Sequence, residues 1–265
     1  MKTLFSSYKY YLVVLLTAGT VVFTGCDKKD DNNNTTPAST VPPVFHIELT
    51  HLAGNKQFFL DSVYTNENGD DFTVSLFKYY LSNIRLVKTD NSIVSVPNSY
   101  FLIDQSDENS MTFAMDSMPE GEYKAIRFII GVDSAANTSG PQTGALDITN
   151  GMFWTWNTGY IFMKMEGTSP SIASPGNFRY HVGGFQGTYN NIKDVELDFN
   201  GNTMLLEKGG NPELHLVLDV LEIFKNPVTI DMSTFSSTVM SANADAQTLA
   251  NNYADMIRYD HIHQE

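Results

Sequence analysis

The chain contains a single cysteine, Cys26, in 265 residues. An intramolecular disulfide and a cysteine-rich metal site are both excluded by that count. Cationic residues are scarce as well: 16 Lys and Arg stand against 30 Asp and Glu, a formal net charge of −14. An acidic surface of this kind repels phosphate backbones and anionic headgroups, so no nucleic-acid partner is expected. The motifs G-x-S-x-G, H-E-x-x-H, the P-loop and the dinucleotide fingerprint are all absent. The nucleophile, zinc-hydrolase and nucleotide chemistries they support are therefore not indicated. Acidic residues are plentiful, but no spacing pairs two of them for acid–base work, and the chain reads as a non-enzyme.

The apolar stretch Tyr11 to Phe23 falls short of the roughly 20 residues of a membrane-spanning helix. With Lys2 and Lys9 before it, it reads as the core of a cleavable signal peptide, residues 1–25. It ends in Phe23-Thr24-Gly25-Cys26. Small residues directly before a cysteine resemble the lipobox of bacterial lipoproteins, with Phe23 where Leu is usual. Cys26 is then the lipid-attachment residue, and acylation removes what would be a free thiol in an oxidising compartment. Residues 26–43 begin Asp27-Lys28-Lys29-Asp30-Asp31 and continue rich in Asn, Thr and Pro. Such sequence cannot bury enough apolar surface to fold and reads as a flexible tether. The expected location is the outer membrane, as a lipoprotein either surface-exposed or facing the periplasm.

Residues 44–265 carry ten of the thirteen Tyr and fifteen of the seventeen Phe, a composition suited to a packed β-rich core. Val44 to His51 alternates strictly, with Phe45, Ile47, Leu49 and His51 on one face and His46, Glu48 and Thr50 on the other. Further strands are read at 58–63, 72–86, 92–96, 100–104, 110–115, 123–132, 152–166, 178–183, 192–199 and 214–224, and long loops at 133–151 and 167–176. Leu249, Tyr253, Met256 and Ile257 are spaced as on a helix, with Asn243 or Ser241 as its N-cap. The expected fold is all-β: an antiparallel Greek-key or β-sandwich-like domain with long loops and a C-terminal helix.

Metal chemistry, if present, falls to the six histidines. His261 and His263 are two apart, so in an extended segment both imidazoles project to one side and can hold one ion. The same two residues also suit a frayed polar tail. His181 lies in Tyr180-His181-Val182-Gly183-Gly184, where glycines allow close backbone approach. His215 shares a strand face with Val217 and Asp219, and a carboxylate beside a ligating imidazole commonly orients it.

The segments Phe77-Lys78-Tyr79-Tyr80-Leu81-Ser82-Asn83-Ile84, Ile130-Gly131-Val132-Asp133, Gly144-Ala145-Leu146-Asp147, Gly151-Met152-Phe153-Trp154-Thr155-Trp156-Asn157-Thr158-Gly159-Tyr160 and Tyr180-His181-Val182-Gly183-Gly184 resemble, in order and spacing, the MbnP (methanobactin-partner) family. Lipoprotein members with an early His, a late L-H-L-x-x-D-V strand and a terminal D-H-x-H are the most similar. The resemblance implies a β-sandwich-like exported protein that binds copper, as Cu(I), through two histidines and a tryptophan oxidised to kynurenine by a dihaem peroxidase-like partner. It implies Trp156 or Trp154 as the modified residue and His181 as the best-matched imidazole. The second imidazole is left among His51, His215, His261 and His263. The expected function is an envelope-anchored copper-binding lipoprotein for metal acquisition or storage. The alternative is a surface module that binds glycan or protein without metal, marked by exposed aromatics in the long loops.

Overall fold

The computed structural model describes residues 39–116, 118–140, 142–154 and 159–264. Cys26, the signal segment, most of the tether and Trp156 lie outside the described residues. The first half of the domain contains β1 (Val44–Ala53), β2 (Lys56–Gln57), β3 (Val63–Thr65), β4 (Asp71–Lys88), β5 (Ile93–Ser95), β6 (Tyr100–Asp104), β7 (Thr112–Asp116) and β8 (Gly121–Ile130). After the short helix α1 (Ser134–Thr138) come β9 (Ile161–Thr168), β10 (Asn177–Gly183), β11 (Lys193–Asp198), β12 (Met204–Leu206) and β13 (Glu213–Asp219). The described chain ends with β14 (Thr238–Val239), helix α2 (Ala244–Tyr253) and β15 (Ile257–His263).

These strands form two sheets. The smaller has the order β15-β13-β1-β2, with β7 also paired to β1. The larger follows β11-β8-β4-β9-β10-β14, with the remaining short strands attached to β4 and β8. The period-two pattern of β1 is realised residue by residue: Phe45, Ile47, Leu49 and His51 are buried, while His46, Glu48 and Thr50 are half-exposed. β4 runs for 18 residues through the centre of the larger sheet. Its ladder to β8 shifts register between Ser82 and Arg85, where Asn83 adopts a φ of 53°. Asparagine tolerates that left-handed geometry because its short amide bonds locally; here Asn83 Nδ2 donates to Asp133 Oδ2. The inner faces of both sheets fill one apolar core, in which Phe45 and Ile47 of β1 join Phe72, Phe77 and Tyr79 of β4.

The all-β sandwich-like expectation holds, with two corrections of detail. The sheets are mixed rather than wholly antiparallel: β1 pairs with β13, and β10 with β14, in parallel. Alternation fixes which face a side chain takes but carries no strand direction, so this could not be read from pattern. The C-terminal helix also stops at Tyr253 instead of continuing to Tyr259. Asn243 caps it, accepting from Ala246 N at 2.8 Å. Leu249, Ala250 and Tyr253 are buried beneath it. Past the helix, Ile257, Tyr259 and Ile262 continue as strand β15 along the edge of β13. The loop 133–151 is more ordered than expected, containing α1 and two single-turn 3-10 helices. Within the expected strand 152–166, the described residues 152–154 and 159–160 lie outside β9, and Phe153 and Tyr160 form an isolated bridge.

Candidate metal centre

Three adjacent strands of the smaller sheet each carry two ligand-type side chains two positions apart: His46 and Glu48 on β1, Glu213 and His215 on β13, His261 and His263 on β15. Strand register aligns them in two rows across the sheet. His46 pairs with Glu213, which pairs with His263; Glu48 pairs with His215, which pairs with His261. The rows extend onto β7 as Ala114 beside His46 and Thr112 beside Glu48. Six imidazoles and carboxylates are thereby grouped on the outer face, opposite the apolar core. This follows from alternation: the pairs on β1 and β13 lie next to buried Phe45, Ile47 or Leu214, and the pair on β15 flanks the half-buried Ile262.

Within the group, one ring nitrogen from each of His215, His261 and His263 lies within 4.8 Å of the other two. The Nε2 atoms of His261 and His263 are 3.1 Å apart, with their ring planes at 89°. His261 Nδ1 donates to Asp260 Oδ2 at 2.8 Å, which leaves the lone pair on Nε2. His215 lies 3.1 Å by Nδ1 from Glu48 Oε2. Its Nε2 is buried without a hydrogen-bond partner, 3.5 Å from Glu213 Oε2. A second overlapping group is formed by Glu48, Glu213 and His215. His46, Asn211, Glu213 and His263 line a recess of about 160 Å3 beside it. An unpartnered buried nitrogen, converging imidazoles and flanking carboxylates suit a metal of borderline softness.

The other two histidines lie elsewhere. His51 points into the core from β1. Its Nδ1 donates to Gln105 Oε1 at 2.5 Å and its Nε2 accepts from Tyr79 Oη at 2.8 Å. Gln105 Nε2 is itself held by Phe58 O, which fixes the amide orientation. Both His51 nitrogens are engaged, and burial pushes the imidazole down to about 4 despite the opposing Gln105 hydrogen bond. His181 on β10 is also buried, and its Nε2 meets Glu166 Oε1 at 2.7 Å. Burial lowers its pKa while the Glu166 hydrogen bond opposes the shift. Its Nδ1 is buried without a hydrogen-bond partner. Among the described residues, neither histidine joins a three-residue group of metal-ligand type.

Trp154 is 2 % exposed and belongs to a satellite cluster with Tyr80, Met152 and Tyr160. The backbone at Gly183 approaches it so closely that a Cβ there would stand 2.8 Å from the indole and 2.6 Å from Tyr160 O. The absence of a side chain at Gly183 therefore seats Trp154. The copper set implied by family resemblance, His181 with an oxidised tryptophan, fits in part: the open Nδ1 of His181 is available, but no second imidazole of the described residues stands beside it. The histidines on β13 and β15 form the fuller donor set.

The sequence singles out His261 and His263 as a pair and His215 apart from them. It does not mark Glu48, Glu213, His46 and Asp260 as members of the same group. Their signal was present as three His/Glu pairs at two-residue spacing, but nothing in one dimension brings those pairs side by side.

No curated protein matches the chain. A solved structure, MbnP from Methylosinus trichosporium, aligns with a TM-score of 0.56 at 15% identity, over 83% of this chain and 98% of that one. At that identity the likeness speaks for the fold. The MbnP family model matches residues 42–241, a span that includes His181, Glu213 and His215 and ends before His261 and His263. With three-quarters of its length matched, the chain belongs to the MbnP family.

Proposed function

We propose that this protein is an envelope-anchored copper-binding lipoprotein that holds its metal for acquisition or storage and turns over no substrate. The observation that carries the reading is the convergence of His215, His261 and His263 on the outer face of the smaller sheet. Membership of the MbnP family directs the choice of metal to copper. Imidazole is a good ligand for copper, which tops the affinity order of divalent first-row ions. The anchoring part of the proposal rests on Lys2, Lys9, the apolar run and Cys26, and outer-membrane attachment through that lipid follows from it. The alternative of a glycan-binding surface is not favoured. Loops 133–151 and 167–176, where aromatic platforms would stand, contain no aromatic residue.

The deciding experiment is copper retention by the purified protein after gel filtration. The native chain is expected to keep one copper ion, and the variant with His215, His261 and His263 all changed to Ala to keep none. His181→Ala is expected to bind as the native chain does. Equal retention by the triple variant would overturn the assignment, and loss in His181→Ala alone would move the site to β10. A dihaem peroxidase-like partner enters only with tryptophan oxidation. Mass spectrometry of peptides bearing Trp154 and Trp156 from native cells tests that step, and unmodified indoles in both would remove it.

A further inference from the structure

Resting on that reading, we infer that the outer face of the smaller sheet takes its copper as Cu(II), through Nε2 of His261 and His263 with His215 as third ligand, and that Asp260 positions His261 for it. Three independent observations point this way.

The first is donor chemistry. The two rows Ala114–His46–Glu213–His263 and Thr112–Glu48–His215–His261 contain nitrogen and oxygen donors and no sulfur. Cu(I) is favoured by soft thiolate or thioether ligands, whereas imidazole and carboxylate suit the divalent ion. Charge acts in the same direction. Glu48, Glu213 and Asp260 supply carboxylates around the imidazoles, and the nearby Arg258 guanidinium stands 3.9 Å from Asp260. A doubly charged ion gains more from such a field than a singly charged one.

The second is the His261–His263 separation. Two nitrogens bound in line to two-coordinate Cu(I) at bonds of about 2.0 Å stand about 4 Å apart. Neighbouring nitrogens around a tetrahedral ion stand about 3.3 Å apart, and around a tetragonal one about 2.8 Å. The observed 3.1 Å is a hydrogen-bond separation between metal-free rings, and it leaves the two nitrogens near the spacing of a tetrahedral or tetragonal ion without the opening that a linear one requires. A hydrogen shared between these two Nε2 atoms occupies the place a metal ion would take. When the ion takes that place, the Nε2 proton of His263 passes through solvent to its Nδ1, and both rings are then neutral ligands.

The third is the bulge in β15. Register with β13 shifts between His215 and Leu216: His215 faces His261 and Leu216 faces Tyr259, so Asp260 has no opposite number. A bulge re-aims the side chains around it. Here it brings the Asp260 carboxylate onto His261 Nδ1, the carboxylate–histidine arrangement that fixes tautomer and ring orientation at metal centres. His215 stacks on His261, with centroids 4.3 Å apart and planes at 13°. Lone pairs lie in the ring plane, so stacked rings cannot address one ion, and one of them turns about its Cβ–Cγ bond when the third ligand engages. His215 Nε2 has no hydrogen bond to lose in that turn.

The test is electron paramagnetic resonance of the purified protein with one equivalent of Cu(II), beside anaerobic competition for Cu(I) against a bicinchoninate chelator. The expected spectrum is a tetragonal Cu(II) signal with splitting from three imidazole nitrogens, falling to two in His215→Ala. Asp260→Asn is expected to weaken Cu(II) binding by about 10–100-fold, the usual effect of removing such a carboxylate, with the metal-free melting temperature unchanged. Asp260 is exposed at a sheet edge, so its variant folds. Copper retained only as Cu(I) overturns this inference and leaves the copper-binding function standing. No copper in either state overturns the function itself. A Cu(II) signal unaltered in His215→Ala removes the third ligand, and unaltered affinity in Asp260→Asn removes the positioning role.

Discussion

His51 and His215 are separated less by chemistry than by what surrounds their ring nitrogens. His51 is 2 % exposed and has a donor and an acceptor matched to its neutral form. Protonating it would cost the Tyr79 hydrogen bond and place a charge in the core. Its folded pKa of about 4 lies below the ordinary 6.5. The unfolded chain therefore takes up a proton between pH 6.5 and 4 that the folded chain refuses. Stability contributed by the neutral ring is complete above pH 6.5 and falls away as pH drops toward 4, by about 3 kcal/mol. Urea unfolding of the native chain and of His51→Gln at pH 7 and pH 4 checks this. The variant, which keeps one donor and one acceptor, should lose about 3 kcal/mol less over that interval; parallel losses would show that His51 is not the group responsible. His215 Nε2 instead makes no hydrogen bond and stands 3.5 Å from Glu213 Oε2, so an ion can take it without breaking one.

Strands with a clean period of two were the legible elements. β1 and β6 were placed within two residues at either end, and the polar face of β1 was correctly assigned, because one buried face dictates alternation. β3 was read too early, over the irregular segment that includes Phe58, and the aromatic run from Met152 looked like strand although, among the described residues, strand begins at Ile161. In both places aromatic residues are buried by loops, and burial without a ladder leaves the same apolar signal as a strand. β15 was the costliest misreading. Tyr253, Met256 and Ile257 fit helical spacing, yet the first belongs to α2 and the last opens a strand, since β13 offers an unpaired edge that Ile257, Tyr259 and Ile262 can cover. For the histidine pair of that segment the sequence admits either an extended clamp or a frayed tail, and the segment is strand through His263. What stayed hidden was the neighbour: the parallel partnership of β1 with β13 and the bulge at Asp260 are set by three-dimensional packing. As an edge strand, β15 opens locally more readily than the core. Copper held by His261, His263 and His215, as proposed, would tie it to β13. Hydrogen exchange followed by mass spectrometry should show slower exchange across 257–263 with saturating copper, and no slowing in His261→Ala. Unchanged exchange in the native chain would exclude a bond between these strands through metal.

At the scale of the whole molecule the site couples metal to fold. Its members come from residues 46–48, 213–215 and 260–263, near opposite ends of the described chain, and meet only once β1 has paired with β13 and β13 with β15. The unfolded chain holds no comparable cluster, so on the proposed function copper would bind the folded form preferentially and stabilise it by mass action. At a free metal concentration 100 times the dissociation constant the gain is about 2.7 kcal/mol. For a domain of this size each kcal/mol raises the melting temperature by about 2–4 °C. The native protein should therefore melt about 5–10 °C higher at that concentration and continue to gain with each further decade of free copper. Calorimetry over a copper series checks this, with the His215, His261 and His263 triple-alanine variant expected to be flat. The formal charge of −14 attracts cations over the whole surface and would raise both proteins alike. The difference between the two series therefore isolates the ion held on the face of β13 and β15 from those gathered by charge alone, and two coincident series would mean that no such ion is held there.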